Sequence, residues 1–472
     1  MEVIEFKRKL EKYSMESAFK VSSTYEYNIF LEYYNNKDKD FTIQLLTVEM
    51  LLKLIGFFCN GKKQFNRQIY INLFKRIASR KYQDDTLSKQ TLFDIMHLNM
   101  MVDLPVQVQD HRRIHRAYKL FNFAKNGADI RSKFEKKFNV SIEDWITKTL
   151  FLHTYLMSIS KGEIDKKILG DEWLRGLMSI EYKKLLKENN EMLSYFKNEH
   201  KIYAFNLLRI FPIIEFDGKY EIVSYKNIIA SLTDSLVYRF THGSDEHRRQ
   251  LGTSFEKYCF DTIKSNPFYT SKYNVYEEFE FDKKTNEKSA DITLIGVEDT
   301  LSIEVKLQSQ NLKLRHLDEK TIKTHMERFK EHYSQVLKKM YLLDIGRIDL
   351  IKDDRNYKHY GMMVTFDNPL HQDKRVDIVN QVIKEFSEKY KYNFEKFKGC
   401  VALFDVSMFD NLFVDSEDQL SDVFKTISEF NETIRSLNYR VINRKKHSQK
   451  DYFDEELKVI EQGLINGTIS SF

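Results

Sequence analysis

The chain is poor in the residues that stiffen or crosslink a backbone. Its 472 residues include four prolines, 15 glycines and three cysteines, and the cysteines are far apart in apolar surroundings, at Cys59, Cys259 and Cys400. An odd number of widely spaced cysteines argues against a disulfide framework and offers no zinc-binding spacing. We therefore expect reduced core thiols in a cytoplasmic protein, and the scarcity of proline and glycine favours uninterrupted helices and strands.

Long apolar runs and two common catalytic signatures are also missing. No apolar stretch approaches the length of a membrane span, and the charged start MEVIEFK leads us to expect no secretory signal. The phosphate-binding pattern G-x-x-x-x-G-K-[ST] is absent, so an ATP-driven step would require a partner subunit. His111 and His115 have the spacing of a metal-binding helix, but no Glu follows His111, which argues against a zinc peptidase.

The chain is rich in hydrophobic residues and in charged residues of both signs. Hydrophobic residues make up 42% of the chain, which is ample for large cores, and charged residues make up 31%. The length of 472 residues predicts two or three domains. The formal net charge is only +5, so contact with nucleic acid would depend on local basic clusters. Such clusters occur at residues 306–339, 440–450 and 111–116, and a solvated surface explains each of them equally well.

The spacing of apolar residues divides the chain into a mostly helical first half and a mixed second half. Helices are predicted at 41–59, 65–82, 87–102 and 142–160, and a short hairpin turning at Asp217 and Gly218 precedes a helix at 227–241. We predict a multidomain protein of the α+β or α/β class. Its parts are a helical recognition or regulatory region at 1–205, a connector at 206–245, a mixed domain at 246–410 and a helical extension with a basic segment at 411–472.

The most informative pattern is a β-hairpin that carries two acids and a lysine. Asp291 opens a β-rich segment at 291–295, a turn follows at 296–300, and Glu304 and Lys306 lie in a second segment at 301–307. Because side chains on a strand alternate between its faces, Ser302, Glu304, Lys306 and Gln308 share one face. Asp291 can approach Glu304 from the neighbouring strand.

These residue types suit metal-assisted cleavage of a phosphodiester bond. Magnesium takes oxygen ligands, and Asp291 and Glu304 suffice as protein anchors when water and phosphate oxygens complete the shell. The metal activates water and stabilises charge on the phosphate. Lys306 could orient the water or hold the phosphate, and partial burial would lower its pKa. The competing interpretation is a solvated hairpin with an ordinary surface ion pair.

The elements predicted around this hairpin have a recognisable order. A helix at 246–265 carries Glu256 beside its apolar stripe, and a strand at 275–281 follows. After the hairpin come an amphipathic helix at 321–343, a strand at 359–366, a helix at 374–390 and a strand at 399–405. The predicted order is therefore αβββαβαβ.

Residues 246–406 resemble the PD-(D/E)xK nuclease superfamily, whose restriction-endonuclease-like fold has an αβββαβ core with a mixed central sheet. Asp291 matches the Asp of the motif, Glu304 its second acid and Lys306 its lysine, while Glu256 resembles the acid that many members carry on the first helix. Ala290 stands where the motif has proline. The resemblance implies a Mg²⁺-dependent DNA endonuclease, with Mn²⁺ as a substitute, and metal ligands Asp291, Glu304 and Glu256. It also implies a prokaryotic defence, restriction or mobile-element setting and a homodimer.

Further residues are predicted to assist. Gln308 lies on the face of Lys306 and could contact the phosphate or the water, and Gln335 resembles a glutamine that some family members carry on the following helix. Contacts to nucleic acid are predicted for Lys313, Arg315, Arg328, His332 and Lys339. Three alternatives remain open: an RNA-directed nuclease, an inactive nuclease-like binding or assembly module, and a helical interaction protein with a coincidental hairpin.

Overall fold

Helices and short strands alternate along the chain. The computed structural model describes residues 3–35, 42–78, 110–125, 128–158, 170–194, 206–225, 227–307, 319–350, 357–366, 372–414, 417–429 and 458. In the first half the elements are α1 (Val3–Leu10), α2 (Met15–Asn35), α3 (Thr42–Phe58), α4 (Arg67–Ala78), α5 (Asp110–Phe121), β1 (Ala124–Lys125), β2 (Ala128–Asp129), α6 (Ile130–Phe138), α7 (Ile142–Ser158), α8 (Glu172–Met178), β3 (Ser179–Glu181), α9 (Tyr182–Ser194), β4 (Ile213–Phe216), β5 (Lys219–Ile222), α10 (Asn227–Leu232) and α11 (Asp234–Thr241).

The second half contains the longer strands. Its elements are α12 (Asp245–Ser265), α13 (Pro267–Lys272), β6 (Asn274–Glu277), β7 (Glu280–Asp282), β8 (Glu287–Lys288), β9 (Ile292–Ile295), β10 (Asp299–Lys306), α14 (Glu319–Asp344), β11 (Lys358–Thr365), α15 (Gln372–Tyr390), β12 (Val401–Asp405), α16 (Val406–Phe413) and α17 (Leu420–Glu429). The protein is therefore of the mixed α/β type. None of the helices in the described ranges combines the length and the apolar character that a membrane span needs.

Apolar periodicity located most helices of the first half. The predictions at 41–59, 65–82 and 142–160 are confirmed as α3, α4 and α7, and the prediction at 87–102 lies outside the described residues. The predicted hairpin is confirmed as β4 and β5. Asp217 and Gly218 turn it with positive φ angles of 49° and 78°, the left-handed conformation that a tight hairpin turn requires. The helix predicted at 227–241 is interrupted at Thr233 and forms α10 and α11.

A five-stranded mixed sheet lies at the centre of the second half. Its strand order is β12-β11-β10-β9-β6, with β9 antiparallel to both β6 and β10, and β11 parallel to both β10 and β12. The helices and strands predicted from 246 to 405 are confirmed, with one exception. The strand predicted at 275–281 is divided, because Phe279 exchanges hydrogen bonds with Ser289 and β7 then pairs with β8 in a separate ribbon.

Helices cover both faces of strand β10. Leu301, Ile303 and Val305 pack into a core that includes Phe255 of α12. On the other face Ser302 pairs with Gly361, and a Cβ atom at Gly361 would collide with side chains of α14, so this helix lies directly on the sheet. Ser302 is fully buried and Glu304 is 4% exposed, which rules out a solvated polar face.

One apolar core joins the helices of the first half to this sheet. It contains Ile114 of α5, Trp145 of α7 and Phe240 of α11 together with strand residues such as Ile303 and Phe404. A second core is formed by helices α1 to α4, helix α9 and strands β3 and β4. The five-stranded sheet is consequently supported by residues more than a hundred positions away in the sequence.

Candidate active site

Asp291, Glu304 and Lys306, hereafter the triad, meet at one end of strand β10. Lys306 Nζ lies 3.2 Å from Asp291 Oδ2 and 2.9 Å from Glu304 Oε2. Ile303 pairs with Ile292, so one further step of the antiparallel register brings Asp291 opposite Glu304. The backbone N–H of Val305 also donates to Asp291 Oδ2 at 2.7 Å and fixes this carboxylate. The predicted convergence of the three side chains is confirmed.

The electrostatics of the triad are dominated by burial. The side chains of Glu304, Asp291 and Lys306 are 5%, 12% and 25% exposed. Burial, followed by the negative charge of Asp291, raises the pKa of Glu304 to about 7, although Lys306 acts in the opposite direction. Burial alone would lower the pKa of Lys306, but the charges of Glu304 and Asp291 outweigh it and raise that pKa above its usual value. The prediction of a lowered lysine pKa is therefore wrong.

Glu256 is the third acid of this region. Helix α12 passes close to the end of β10, since a Cβ atom at Gly252 would lie 3.9 Å from Cβ of Leu307, and Glu256 follows one helical turn later. Burial and then the charge of Asp291 raise the pKa of Glu256 to about 7, with a further contribution from Glu304. The predicted acid of the first helix thus lies within electrostatic reach of the triad.

A hairpin that sequence reasoning did not connect with the site borders it on another side. Strands β7 and β8 are attached to α14 by a salt bridge from Lys338 to Glu287 at 2.7 Å, and to the turn after α14 by one from Arg347 to Asp282 at 3.2 Å. Lys339 Nζ donates to the backbone oxygen of Lys288. Because Asp291 follows β8 by three residues, these contacts hold the segment that leads into it. The residues of these salt bridges are far apart in sequence, so only the three-dimensional structure reveals that they are in contact.

Helix α14 contributes a row of polar residues beside the triad. Burial and the positive charges of Lys306 and Arg328 lower the pKa of His332 to about 4, so this imidazole is neutral at pH 7. Lys339 is also half-buried, and burial lowers its pKa although the charge of Glu304 opposes the shift. Arg328 and Gln335 are exposed. Within the described residues no hydrogen bond joins Gln335 to the triad.

Several predicted residues cannot be compared with the structure. Gln308, Lys313 and Arg315 lie outside the described residues, as does the basic cluster at 440–450. Gln308 follows the last described residue of the hairpin directly. These assignments remain predictions.

The basic cluster at 111–116 is an internal network and not a phosphate-binding surface. Arg112, Arg113 and Arg116 are 6%, 6% and 1% exposed. Arg116 forms salt bridges with Asp410 at 2.5 Å and with Asp234 at 2.9 Å. Burying a guanidinium group requires such partners, and they belong to elements remote in sequence. The exposed charge that the sequence suggested at this position is absent.

The donor atoms of the site suit a hard cation. No set of three or more His, Cys, Asp or Glu in the described part of the chain is placed to hold a metal ion. Magnesium commonly takes one or two carboxylates and completes its shell with water and substrate oxygens. Asp291 and Glu304 supply such a pair, and their second oxygens, Oδ1 and Oε1, take no part in the hydrogen bonds with Lys306 and Val305. The two residues therefore fit Mg²⁺ as a pair, whereas the described structure does not place Glu256 with them as a third ligand.

Comparisons with protein-family models, with curated proteins and with solved structures find no match for this chain.

Proposed function

We propose that the chain is a Mg²⁺-dependent endonuclease that hydrolyses phosphodiester bonds of DNA, with a restriction-endonuclease-like core at residues 246–406. One observation carries the proposal: Lys306 Nζ lies within 3.2 Å of one carboxylate and 2.9 Å of another at the end of a buried central strand. The order of strands, antiparallel from β6 to β10 and parallel from β10 to β12, supports the proposed core.

The strongest competing explanation is a structural ion pair without catalytic function. A stabilising ion pair lowers the pKa of its acid, because the neighbouring cation favours the charged form. At Glu304 the pKa is raised to about 7 in spite of Lys306. The fold therefore holds this carboxylate at a cost, and perturbed pairs of this kind are concentrated at functional sites.

Each residue of the triad receives a role from its chemistry. Asp291 and Glu304 would hold the metal, which supplies Lewis-acid activation of water and neutralises charge on the phosphate when it is bound. Lys306 would donate hydrogen bonds to a phosphate oxygen as negative charge develops there. A water oxygen would attack phosphorus as the bond to the leaving oxygen breaks, Glu256 would take up the proton that the water releases near neutral pH, and the leaving oxygen would take a proton from solvent.

Four parts of the proposal rest on the family resemblance. They are the DNA substrate, the defence, restriction or mobile-element setting, the homodimer, and Mn²⁺ as an alternative metal. Fold and motif alone do not determine substrate or pathway. RNA cleavage and loss of catalysis are the alternatives that an assay has to separate.

Nicking of supercoiled plasmid, with Mg²⁺ and with EDTA, tests the proposal. Asp291→Asn, Glu304→Gln and Lys306→Ala should each lower the rate by about a hundredfold or more, the usual cost of losing a group that stabilises the transition state. The matched control is Glu298→Gln with Lys358→Ala, which removes exposed charges at the opposite end of the sheet, one in the turn of the hairpin and one at the start of β11. Cleavage that survives all three triad substitutions, or that proceeds in EDTA, would refute the assignment. Parallel reactions with single-stranded RNA distinguish the two nucleic acids.

A further inference from the structure

A second charged feature lies far from the triad, on the helical first half. Helix α1 ends with Lys7, Arg8 and Lys9, and Lys12 follows it. The connection between α3 and α4 adds Lys62 and Lys63, and α4 begins with Arg67. All seven side chains are exposed. We name them the basic surface.

Backbone contacts bring the two sequence segments of the basic surface together. Lys63 N donates to Lys12 O at 3.0 Å, Ser14 N to Lys63 O at 2.8 Å, and Gly61 N to Tyr13 O at 2.9 Å. A Cβ atom at Gly61 would collide with the backbone of Lys12, so this approach depends on glycine. The cations are therefore held side by side by main-chain bonds, although about fifty residues separate them in sequence.

Among the side chains that the structure describes in this region, cations outnumber acids. Glu11 is exposed within the basic surface, whereas Glu16 is engaged in a salt bridge with Lys20 at 3.1 Å. Helix α4 also starts here, with Asn66 Oδ1 accepting from Ile69 N, and the positive end of a helix dipole adds to the potential. Such a concentration attracts a polyanion by releasing the counterions condensed on it.

We infer that the basic surface binds the phosphate backbone of duplex DNA without reading its sequence. The choice of nucleic acid rests on the proposed function, while the presence of a polyanion site rests on the charges alone. An anionic membrane is less compatible, because surface binding of a helix to lipid needs exposed apolar side chains. Phe6 and Leu10 of α1 are buried, and the large apolar side chains that the described structure leaves exposed are elsewhere, at Phe151, Val297, Ile345 and Val376.

The measurement is the salt dependence of duplex binding by the full chain in EDTA, where metal-dependent cleavage cannot interfere. Fluorescence anisotropy of a labelled duplex gives the association constant at each salt concentration. A plot of the logarithm of this constant against the logarithm of the salt concentration has a slope of about −0.9 for each phosphate neutralised. Lys62→Gln, Lys63→Gln and Arg67→Gln combined should make the slope less steep by about 2 to 3 and weaken binding about 10- to 100-fold at low salt. A second variant, with Lys7→Gln, Arg8→Gln and Lys12→Gln, should act in the same way.

The matched control removes three exposed lysines from α9, a helix of the same apolar core. Lys183, Lys184 and Lys187 lie among acids there, and Lys184 is 3.9 Å from Glu188. Lys183→Gln, Lys184→Gln and Lys187→Gln combined change the net charge equally and should leave the slope unchanged. Equal losses in all three variants, or binding to phosphatidylserine vesicles but not to duplex, would overturn the inference. If both variants bind the duplex as the wild type does while plasmid cleavage still depends on Glu304, this inference fails and the proposed function stands; if no Glu304-dependent cleavage occurs, the proposed function fails whatever the binding result.

Discussion

Replacing Glu304 by Gln should stabilise the protein at alkaline pH while it abolishes cleavage. Burial raises the pKa of Glu304 to about 7 in the folded chain, from 4.5 for an unperturbed glutamate. The unfolded chain therefore releases this proton first, and stability is lost as the pH rises from 4.5 through 7. The difference of about 2.5 pKa units corresponds to about 3 kcal/mol at pH 8, and to about 1 kcal/mol at pH 5.5. The amide of Gln can still accept a hydrogen bond from Lys306.

Urea unfolding in EDTA at the two pH values measures this effect. The free energy of unfolding of the variant should exceed that of the wild type at pH 8. At pH 5.5 this difference in free energy should be smaller by about 2 kcal/mol. Glu327→Gln, which removes an exposed charge from α14, serves as the control and should show no such pH dependence. Mg²⁺ should then raise the stability of the wild type and not that of the variant, because a ligand that binds only the folded state stabilises it. A variant less stable than the wild type at pH 8 would refute the reasoning.

Three further predictions concern the same region. Lys306→Ala should lower stability by about 1 to 3 kcal/mol, since two buried acids lose their cation, and Mg²⁺ should restore part of it in thermal unfolding; no destabilisation would contradict the role of Lys306. Because burial raises the pKa of Glu304 and that of Glu256 to about 7, calorimetry should find that the affinity for Mn²⁺ falls about fivefold per titrating ligand between pH 7 and pH 6, with proton release on binding. A pH-independent affinity would exclude both acids as ligands. Tyr258→Phe removes a hydrogen bond of 2.7 Å to buried Asp410 and should cost about 1 to 3 kcal/mol in urea unfolding; an unchanged midpoint would show that this bond is dispensable.

The hairpin and the meeting of the triad could be predicted because both depend on local rules. Alternation along β10 puts Glu304 and Lys306 on one face, and the length of the turn decides that Asp291 returns opposite Glu304. Helix α14 could also be predicted from the sequence, because its apolar residues recur at helical intervals over its whole length.

The surroundings of the triad could not be predicted, because they depend on contacts between distant segments. The run at 111–116 has the composition of a surface cluster, and only the packing of α5 against Asp234 and Asp410 makes it internal. The direction of the Lys306 pKa shift required the distances to two carboxylates, since burial alone gives the opposite sign. The strand predicted at 275–281 is divided by a hydrogen bond from Phe279 N to the side chain of Ser289, ten residues further along the chain, and local sequence rules do not predict this contact.

The apolar core shared by α5 and the sheet has a consequence for synthesis. Its members extend from Tyr27 to Phe424, and Phe424 stacks on Tyr360 with ring centroids 4.3 Å apart. Since translation delivers the chain from its amino terminus, the apolar faces of α5 and α7 emerge from the ribosome before α12 and the strands of the same core. The nascent chain therefore exposes apolar surface until those elements have been made, a condition that favours chaperone engagement.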